Sequence, residues 1–258
     1  MYRWVSCGRG IVSVRGEDPL FGGRYIVDPY QKCDLSCVYC DSAEECIYIK
    51  HDILERLKAE CKDLERKTVI LGSSTDPYQI IERRVGITRK VLRFLLEEGF
   101  PVHILTKSCL IERDIDLLRR GDVRVTVSIS TLDERISSIL EPKVPSPRRR
   151  LETLRRLSMD SVEVGVAIFP IIPFLTERTL PEIVELAKEA GASYVIYGYL
   201  ELKGDVRIRF FDVIDRSIPS ISSRLRELYR DSFRPKGYNI DGRIREICKS
   251  HGLRLFHG

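Results

Sequence analysis

The sequence lacks the features that would place it in a membrane, secreted or fibrous class. No run of about 18 apolar residues occurs, so no transmembrane helix is predicted. The N-terminal segment has no apolar stretch before a cleavage site, which argues against a secretory signal and predicts a cytoplasmic protein. Internal repeats, low-complexity stretches and linkers are also missing. One soluble globular domain is therefore the simplest expectation for a chain of 258 residues.

A strong excess of charge of either sign is absent too. The chain has 43 Lys and Arg against 38 Asp and Glu, which gives a formal net charge of +5. An excess this small permits a polyanionic partner but does not require one, because arginine-rich helices on any soluble surface give the same value. The sequence does not predict an oligomeric state.

The eight cysteines contain no second closely spaced pair of the kind that zinc sites use. Five are scattered along the chain: Cys7, Cys46, Cys61, Cys109 and Cys248. In a reducing compartment cysteines are ligands or buried thiols more often than disulfides. The other three are Cys33, Cys37 and Cys40, at the spacing C-x3-C-x2-C, with Tyr39 before the last. We call Cys33–Cys40 the cluster loop.

Three thiolates on one short loop can bind three irons of a four-iron cluster and leave the fourth iron open for chemistry. A zinc site and unrelated buried thiols are the alternatives, and structural zinc usually takes four protein ligands. Cys46 lies close enough in the sequence to be a fourth ligand, whereas Cys61 lies on a helical stripe and is expected in the core. The triplet therefore predicts an iron–sulfur cluster with Cys33, Cys37 and Cys40 as ligands.

Short apolar runs alternate with segments of helical periodicity about six times, which predicts a parallel sheet covered by helices. The predicted strands are 25–27, 68–71, 101–105, 123–129, 162–169 and 194–199. The predicted helices are 52–64, 86–98, 111–120, 145–157, 180–190, 221–233 and 242–251. Six such units predict an α/β fold, a partial (β/α)6 barrel of the TIM type.

We expect three parts along the chain. Residues 1–24 are predicted to form an irregular N-terminal arm or a short hairpin, residues 25–200 the barrel core, and residues 201–258 a C-terminal helical extension packed on the core. In parallel sheets the chemistry lies at the carboxyl ends of the strands. Polar or proline-containing segments follow the predicted strands at 73–76, 106–108, 128–130 and 170–173.

The cluster loop, with its aromatic residue before the last cysteine, resembles the signature of the radical S-adenosylmethionine (SAM) superfamily. Further motifs resemble its spore photoproduct lyase-related branch, whose members are often labelled DNA repair photolyases. These motifs are Leu71–Gln79, Ile104–Ser108, Val127–Leu132, Glu141–Pro142 and Pro170–Pro173. The resemblance covers residues 25–175 and implies the partial barrel of that superfamily.

The resemblance implies a [4Fe-4S] cluster and SAM as cofactors. An electron from an external donor of the flavodoxin or ferredoxin type would cleave SAM to a 5′-deoxyadenosyl radical, which abstracts hydrogen from a substrate. The resemblance names no catalytic side chain, and the class of reaction (lyase, oxidoreductase or transferase) stays open.

The resemblance also implies which residues hold the methionine part of SAM. Ser74, Thr75 and Asp76 stand where superfamily members bind the amino group, and a carboxylate suits an ammonium. Lys107 suits the SAM carboxylate as a charge-assisted partner. A turn residue before proline is the simpler interpretation of Asp76, and a solvated strand end that of Lys107.

Two further positions of the branch carry candidate roles. Ser128 and Ser130 are implied as partners of the ribose hydroxyls, although a core or capping hydroxyl is the alternative for Ser128. Arg150 stands where the branch tends to carry an arginine, which could bind a substrate phosphate or pair with Glu141.

The sequence departs from the branch at the position that decides the substrate chemistry. Ser73 stands where spore photoproduct lyase has a hydrogen-donating cysteine, and a serine O–H is a far poorer hydrogen-atom donor. Lys32 also stands where related sequences have glycine. Repair of a thymine lesion by the same route would need Cys109 or another thiol as substitute.

Three hypotheses about function follow. The first is a radical SAM enzyme that acts on a nucleic acid or nucleotide, and the second is one that modifies or activates a peptide, cofactor precursor or metabolite. The third is an iron–sulfur electron carrier or a structural metal protein. Only three cysteine ligands beside a SAM-like set of strand-end residues argue against the third.

Overall fold

The structure is a computed structural model that describes residues 1–256. Its strands are β1 (Tyr2–Val5), β2 (Val12–Ser13), β3 (Tyr25–Val27), β4 (Tyr30–Gln31), β5 (Ile47–Lys50), β6 (Val69–Leu71), β7 (Val102–Thr106), β8 (Val123–Ser128), β9 (Glu163–Ile171), β10 (Tyr194–Tyr199) and β11 (Arg254–Leu255). Its α-helices are α1 (Ile53–Glu60), α2 (Glu82–Val85), α3 (Ile87–Glu97), α4 (Ile115–Leu118), α5 (Glu134–Leu140), α6 (Pro147–Met159), α7 (Thr176–Glu189), α8 (Gly204–Ser217), α9 (Pro219–Leu228) and α10 (Asp241–Ser250). A short 3-10 helix spans Cys109–Asp114.

Eight strands form one sheet in the order β11-β10-β9-β8-β7-β6-β3-β2. Neighbours from β3 to β11 pair in parallel, and β2 pairs antiparallel with β3. The six strands β3 and β6–β10, with the helices that connect them, form the partial (β/α)6 barrel that the sequence predicts. All three residues of β6 and five of six in β8 are buried, as expected of parallel strands covered on both faces.

The register brings the carboxyl ends of the strands together. Val27 is paired with Leu71, and Leu71 with Ile104, so the segments that follow β3, β6 and β7 begin at one edge of the sheet. The cluster loop lies in the chain between β4 and β5. These two strands form a separate three-stranded sheet with β1.

Some element predictions are corrected. Residues 1–24, expected to be an irregular arm or a short hairpin, contain β1 and β2, which pair with β5 and β3 rather than with each other. The predicted helix 111–120 is a 3-10 helix followed by the single turn of α4. No element was predicted at α8, and the predicted helix 221–233 is α9, which begins and ends earlier. The division of the chain into arm, core and extension stays a prediction.

Helices α8 and α9 pack against the cluster loop. Apolar residues of all three segments form one buried cluster that includes Leu35, Val38, Phe210, Ile214, Leu225 and Tyr229. Full burial of a side chain of this size stabilises a protein by about 1.5–3 kcal/mol. The cluster loop is therefore held from the outside by the last part of the chain. None of the helices in residues 1–256 has the length and apolar character needed to cross a membrane.

Candidate active site

A cavity of about 290 Å³ opens at the carboxyl ends of the barrel strands. Eight of the nine residues predicted to bind the cluster or SAM line it: Cys33, Cys37, Cys40, Ser74, Thr75, Asp76, Lys107 and Ser128. Ser130 does not line the cavity, and its hydroxyl donates to the Phe169 carbonyl at 3.1 Å. The extension contributes Glu201, Lys203 and Val206 to the lining of the cavity.

The first half of the cluster loop is fixed to the segment before α2. The Gln79 side chain accepts from the Asp34 N–H at 2.9 Å and donates to the Lys32 carbonyl at 3.2 Å. The Asp34 carboxylate accepts from the N–H groups of Ile80 and Ile81 at 2.7 and 3.0 Å. Lys32 has φ of +68°, in the left-handed region that favours glycine. The glycine that the resemblance implies at this position would adopt this conformation without strain.

The second half of the loop is fixed to a buried charge network. The Tyr39 hydroxyl donates to Glu141, and Arg150 donates to the same carboxylate at 2.6 Å. Arg150 is fully buried and also donates to the Ser128 carbonyl at 2.6 Å. The phosphate interpretation of Arg150 is therefore wrong, and the pairing with Glu141 is confirmed. Burial opposes ionisation of Glu141, but the charges of Arg150 and Lys107 outweigh it and lower its pKa to about 2.

The Lys107 ammonium connects this network to the cavity. It donates to the Ser128 hydroxyl at 2.5 Å and to the Phe169 carbonyl at 2.9 Å, and lies 3.3 Å from a Glu141 oxygen. Two acceptors and one counter-charge thus fix the position of the ammonium group. Lys107 is therefore not a solvent-exposed residue at the end of a strand. It is a mostly buried cation whose position at the cavity wall is fixed by its partners.

Asp76 joins the ends of β6 and β7. Its carboxylate accepts from the Lys107 N–H and the Thr106 hydroxyl, both at 2.7 Å, and from the Tyr78 N–H at 2.8 Å. Burial raises the pKa of this carboxyl, and these donors oppose the shift. Asp76 is thus a turn residue before Pro77, as its simpler interpretation predicts. It also lies on the cavity wall.

The donor set of the cavity suits an iron–sulfur cluster. Its three thiols are soft ligands, and thiolates are the usual ligands of such clusters. Burial raises the pKa of Cys33 to about 12 and also raises the pKa of Cys37 and Cys40, so these thiols need a cation to ionise. Over residues 1–256, no three His, Cys, Asp or Glu side chains converge to hold a single metal ion. A four-iron cluster does not need such convergence, because each cysteine binds its own iron.

The other thiols lie away from the cavity. Cys46 and Cys109 are half-buried and not part of its wall, and the Cys109 thiol is 3.6 Å from the Arg149 carbonyl. Within the described part of the chain, Cys109 therefore does not replace the missing hydrogen donor. Ser73 lines the cavity at the position expected for it.

The chain matches the family model of the Radical SAM superfamily over residues 27–187. It belongs to the radical SAM superfamily. This radical SAM enzyme shares 30% identity over 229 residues with an uncharacterized protein of Mycobacterium bovis, which covers 80% of this chain and 67% of that protein. It is 38% identical over 118 residues to an uncharacterized protein of Acidianus two-tailed virus, covering 45% of this chain and 38% of the viral protein.

Solved structures agree with the fold of this radical SAM enzyme. A mutant of spore photoproduct lyase with bound AdoMet and dinucleoside spore photoproduct superposes with a TM-score of 0.73 at 15% identity, covering 98% of this chain and 80% of the lyase. Streptococcus suis SuiB bound to S-adenosylmethionine gives 0.54 at 18% identity, covering 77% of this chain and 47% of SuiB. At these identities the likeness establishes a shared fold. Membership of the superfamily implies SAM and an iron–sulfur cluster as cofactors.

Proposed function

We propose that this enzyme binds a [4Fe-4S] cluster through Cys33, Cys37 and Cys40, binds SAM beside it, and abstracts hydrogen from a substrate. The observation that carries the proposal is the meeting of these three thiols with Asp76 and Lys107 on the wall of one cavity. When bound and reduced, the cluster supplies the electron that cleaves SAM to a 5′-deoxyadenosyl radical.

The protein's own contribution is to position SAM. Lys107 is suited to the SAM carboxylate, which would replace Glu141, its longest contact at 3.3 Å. Asp76 is suited to the ammonium group, since its carboxylate is already held by two N–H groups and a hydroxyl. Ser74 and Thr75 extend this wall. Apolar Leu35 and Leu105 line the same cavity and limit the access of water.

Ser128 and Ser130 differ in whether they can contact the ribose of a bound SAM. The Ser128 hydroxyl lines the cavity, accepts from Lys107 and donates to the Phe169 carbonyl at 2.8 Å, so it keeps one lone pair as an acceptor. Ser130 lies behind the wall, where it donates to the Phe169 carbonyl. We therefore assign the ribose contact to Ser128 and a supporting role to Ser130.

For the substrate we propose a nucleic acid or a nucleotide. Residues 201–258 contain 13 Lys and Arg and eight Asp and Glu, whereas residues 1–200 contain 30 of each. The whole net positive charge thus belongs to the extension, which forms one wall of the cavity. On the cavity wall Lys203 pairs with Glu201, so the excess positive charge lies on the rest of the extension, where it favours an anionic backbone. The similar fold of spore photoproduct lyase with a bound dinucleoside product supports this assignment.

A peptide, cofactor precursor or metabolite is the second candidate substrate. The three thiols of the cavity within residues 1–256 are all assigned to the cluster, so a thiol does not remain to quench a substrate radical. Chemistry that retains the radical, or takes hydrogen back from 5′-deoxyadenosine, needs no such thiol. This observation favours activation or modification over lesion repair.

The first test measures SAM cleavage. Protein reconstituted with iron and sulfide without oxygen, then reduced with dithionite, should release 5′-deoxyadenosine from SAM. Cys37→Ala should lose bound iron and release none, because the cluster loses one of three ligands. Cys46→Ala is the matched control and should behave as the wild type, since Cys46 is a half-buried thiol outside the cavity.

Two results would contradict the proposal. A wild type that keeps its cluster but cleaves no SAM is an electron carrier rather than an enzyme of this kind. Equal loss of iron in Cys46→Ala and Cys37→Ala would indicate that Cys46 is a fourth ligand. The cluster would then have no open iron to bind SAM.

A further inference from the structure

Arg209 of α8 contacts the cluster loop through main-chain carbonyls alone. Its Nε donates to the Val38 carbonyl at 2.9 Å, a second nitrogen donates to the Cys40 carbonyl, and a third to the Ala43 carbonyl at 3.5 Å. Three donors of one planar guanidinium thus hold three carbonyls at and just after the end of the loop. Arg209 is separated from these carbonyls by 166 to 171 residues of sequence.

Among residues 1–256, no carboxylate forms an ion pair with Arg209. Three other arginines of the extension do pair with a carboxylate: Arg216 with Asp212, Arg226 with Asp215, and Arg230 with Glu227. Within residues 1–256 the hydrogen-bond partners of Arg209 are the three carbonyls. An unpaired, half-buried cation therefore lies against the chain at Cys40.

We propose that Arg209 is a positioning residue that orders the cluster loop and raises the reduction potential of the bound cluster. The inference rests on the proposed function, because it needs a cluster at Cys33, Cys37 and Cys40. Reduction adds one negative charge, and a fixed cation beside the loop favours the reduced state. Fixing the carbonyls of Val38 and Cys40 limits the motion of the last ligand, so iron is retained longer.

The experiment compares three variants of the full-length chain. Arg209→Gln removes both the positive charge and the planar guanidinium that donates to three carbonyls. Arg209→Lys keeps the charge but loses the guanidinium. Arg207→Gln is the matched control, because Arg207 lies on the same helix and donates to the Arg230 carbonyl instead. The measurements are iron and acid-labile sulfide per chain during dialysis, and the midpoint potential from EPR-monitored redox titration without SAM.

We expect Arg209→Gln to lose iron faster and to have a more negative midpoint potential. The ratio of reduced to oxidised cluster at a fixed solution potential should fall about fivefold, where tenfold corresponds to about 59 mV. Arg209→Lys should keep the wild-type potential but lose iron faster, which separates charge from positioning. If Arg209→Gln does not fold, Arg209→Lys alone decides the positioning claim. Arg207→Gln should match the wild type in both measurements.

The outcomes that overturn the inference differ from those that overturn the function. A potential and iron retention in Arg209→Gln equal to the wild type would refute it, as would an equal shift in Arg207→Gln. Iron retention in Arg209→Lys equal to the wild type would refute the positioning role. A wild type that assembles no cluster would instead refute the proposed function.

Discussion

Glu141 illustrates how single side chains at the cavity are stabilised. It is 3% exposed, yet it is ionised because Arg150, Lys107 and the Tyr39 hydroxyl surround it. A buried charge that keeps its partners is tolerated, but one left alone is costly. The network therefore supports the cluster loop through Tyr39 and the cavity wall through Lys107.

Glu141→Gln should lower the free energy of unfolding by about 3–5 kcal/mol, because it leaves the buried Arg150 without its counter-charge. Urea unfolding at pH 7 measures this loss. The folded-state pKa of about 2 lies below the ordinary 4.5, so the stabilisation is present above pH 4.5 and is lost as the pH falls towards 2. The difference between wild type and variant should shrink over that interval.

Glu152→Gln is the control for this substitution. Glu152 is exposed and lies 3.9 Å from Arg149, and such surface pairs contribute about 0–1 kcal/mol. A Glu141→Gln variant no less stable than Glu152→Gln would show that the network does not stabilise the fold.

For single residues, the sequence predicted which side chains lie at the cavity better than it predicted which side chains they contact. The cysteine spacing and the strand-end motifs placed Asp76, Lys107 and Ser128, and all three line the cavity with the cluster loop. The pairing of Lys107 with Glu141 joins residues 34 positions apart in the sequence, one after the end of β7 and the other after the end of α5. Periodicity carries no information about such contacts.

Among the elements, the regular units of the barrel were predictable and α8 was not. The predicted strands 25–27 and 194–199 agree with β3 and β10, because each is a short run of β-branched and aromatic residues. In α8, Val206, Phe210 and Ile214 recur at helical spacing, so the periodic signal was present. The helix begins at Gly204 without a capping side chain, and packing on the cluster loop stabilises it instead.

The conformation of the turn that follows β6 allows the effect of a substitution at Gly72 to be predicted. Gly72 has φ of +87°, and a Cβ added there would lie 2.2 Å from Cδ of Pro77. Gly72→Ala should therefore lose about 2–4 kcal/mol, the sum of backbone strain and overpacking. Because this turn presents Ser74 to Asp76, SAM affinity should fall as well. Urea unfolding and equilibrium binding of SAM are the measurements.

Gly86→Ala separates the two contributions. Gly86 also has positive φ, at +65°, but a Cβ there would meet no atom within 4 Å. It should lose only the strain, about 1–2 kcal/mol, and keep its affinity for SAM. Equal losses in both variants would mean that the contact with Pro77 does not matter.

For the whole molecule, the uneven charge predicts how binding depends on salt. Residues 1–200 are neutral overall and the extension carries the net charge of +5. Lys203 lies on the cavity wall, where it pairs with Glu201 at 2.6 Å, and Arg224 stacks 3.9 Å from the ring centroid of Phe174. Both are exposed. We expect single-stranded DNA to bind across these two cations on its way to the cavity.

The double variant Lys203→Gln, Arg224→Gln should bind a single-stranded oligonucleotide several-fold more weakly. The slope of log affinity against log salt should fall by about 1.4, since each phosphate contact contributes about 0.7. Fluorescence anisotropy over a salt series measures both quantities. The control is Lys90→Gln, Arg93→Gln, two exposed cations on α3. No DNA binding at low salt, or equal loss in the control, would favour the second class of substrate.

The contact between Arg209 and the cluster loop also sets an order of events during protein synthesis. The three cysteines leave the ribosome early, but the arginine that fixes the loop follows about 170 residues later. At bacterial and eukaryotic speeds of about 5–20 residues per second, this delay is about 10–30 seconds. The nascent chain therefore presents an unclamped thiol motif during translation. Iron delivered after release of the chain would meet a loop that is already shaped to receive it.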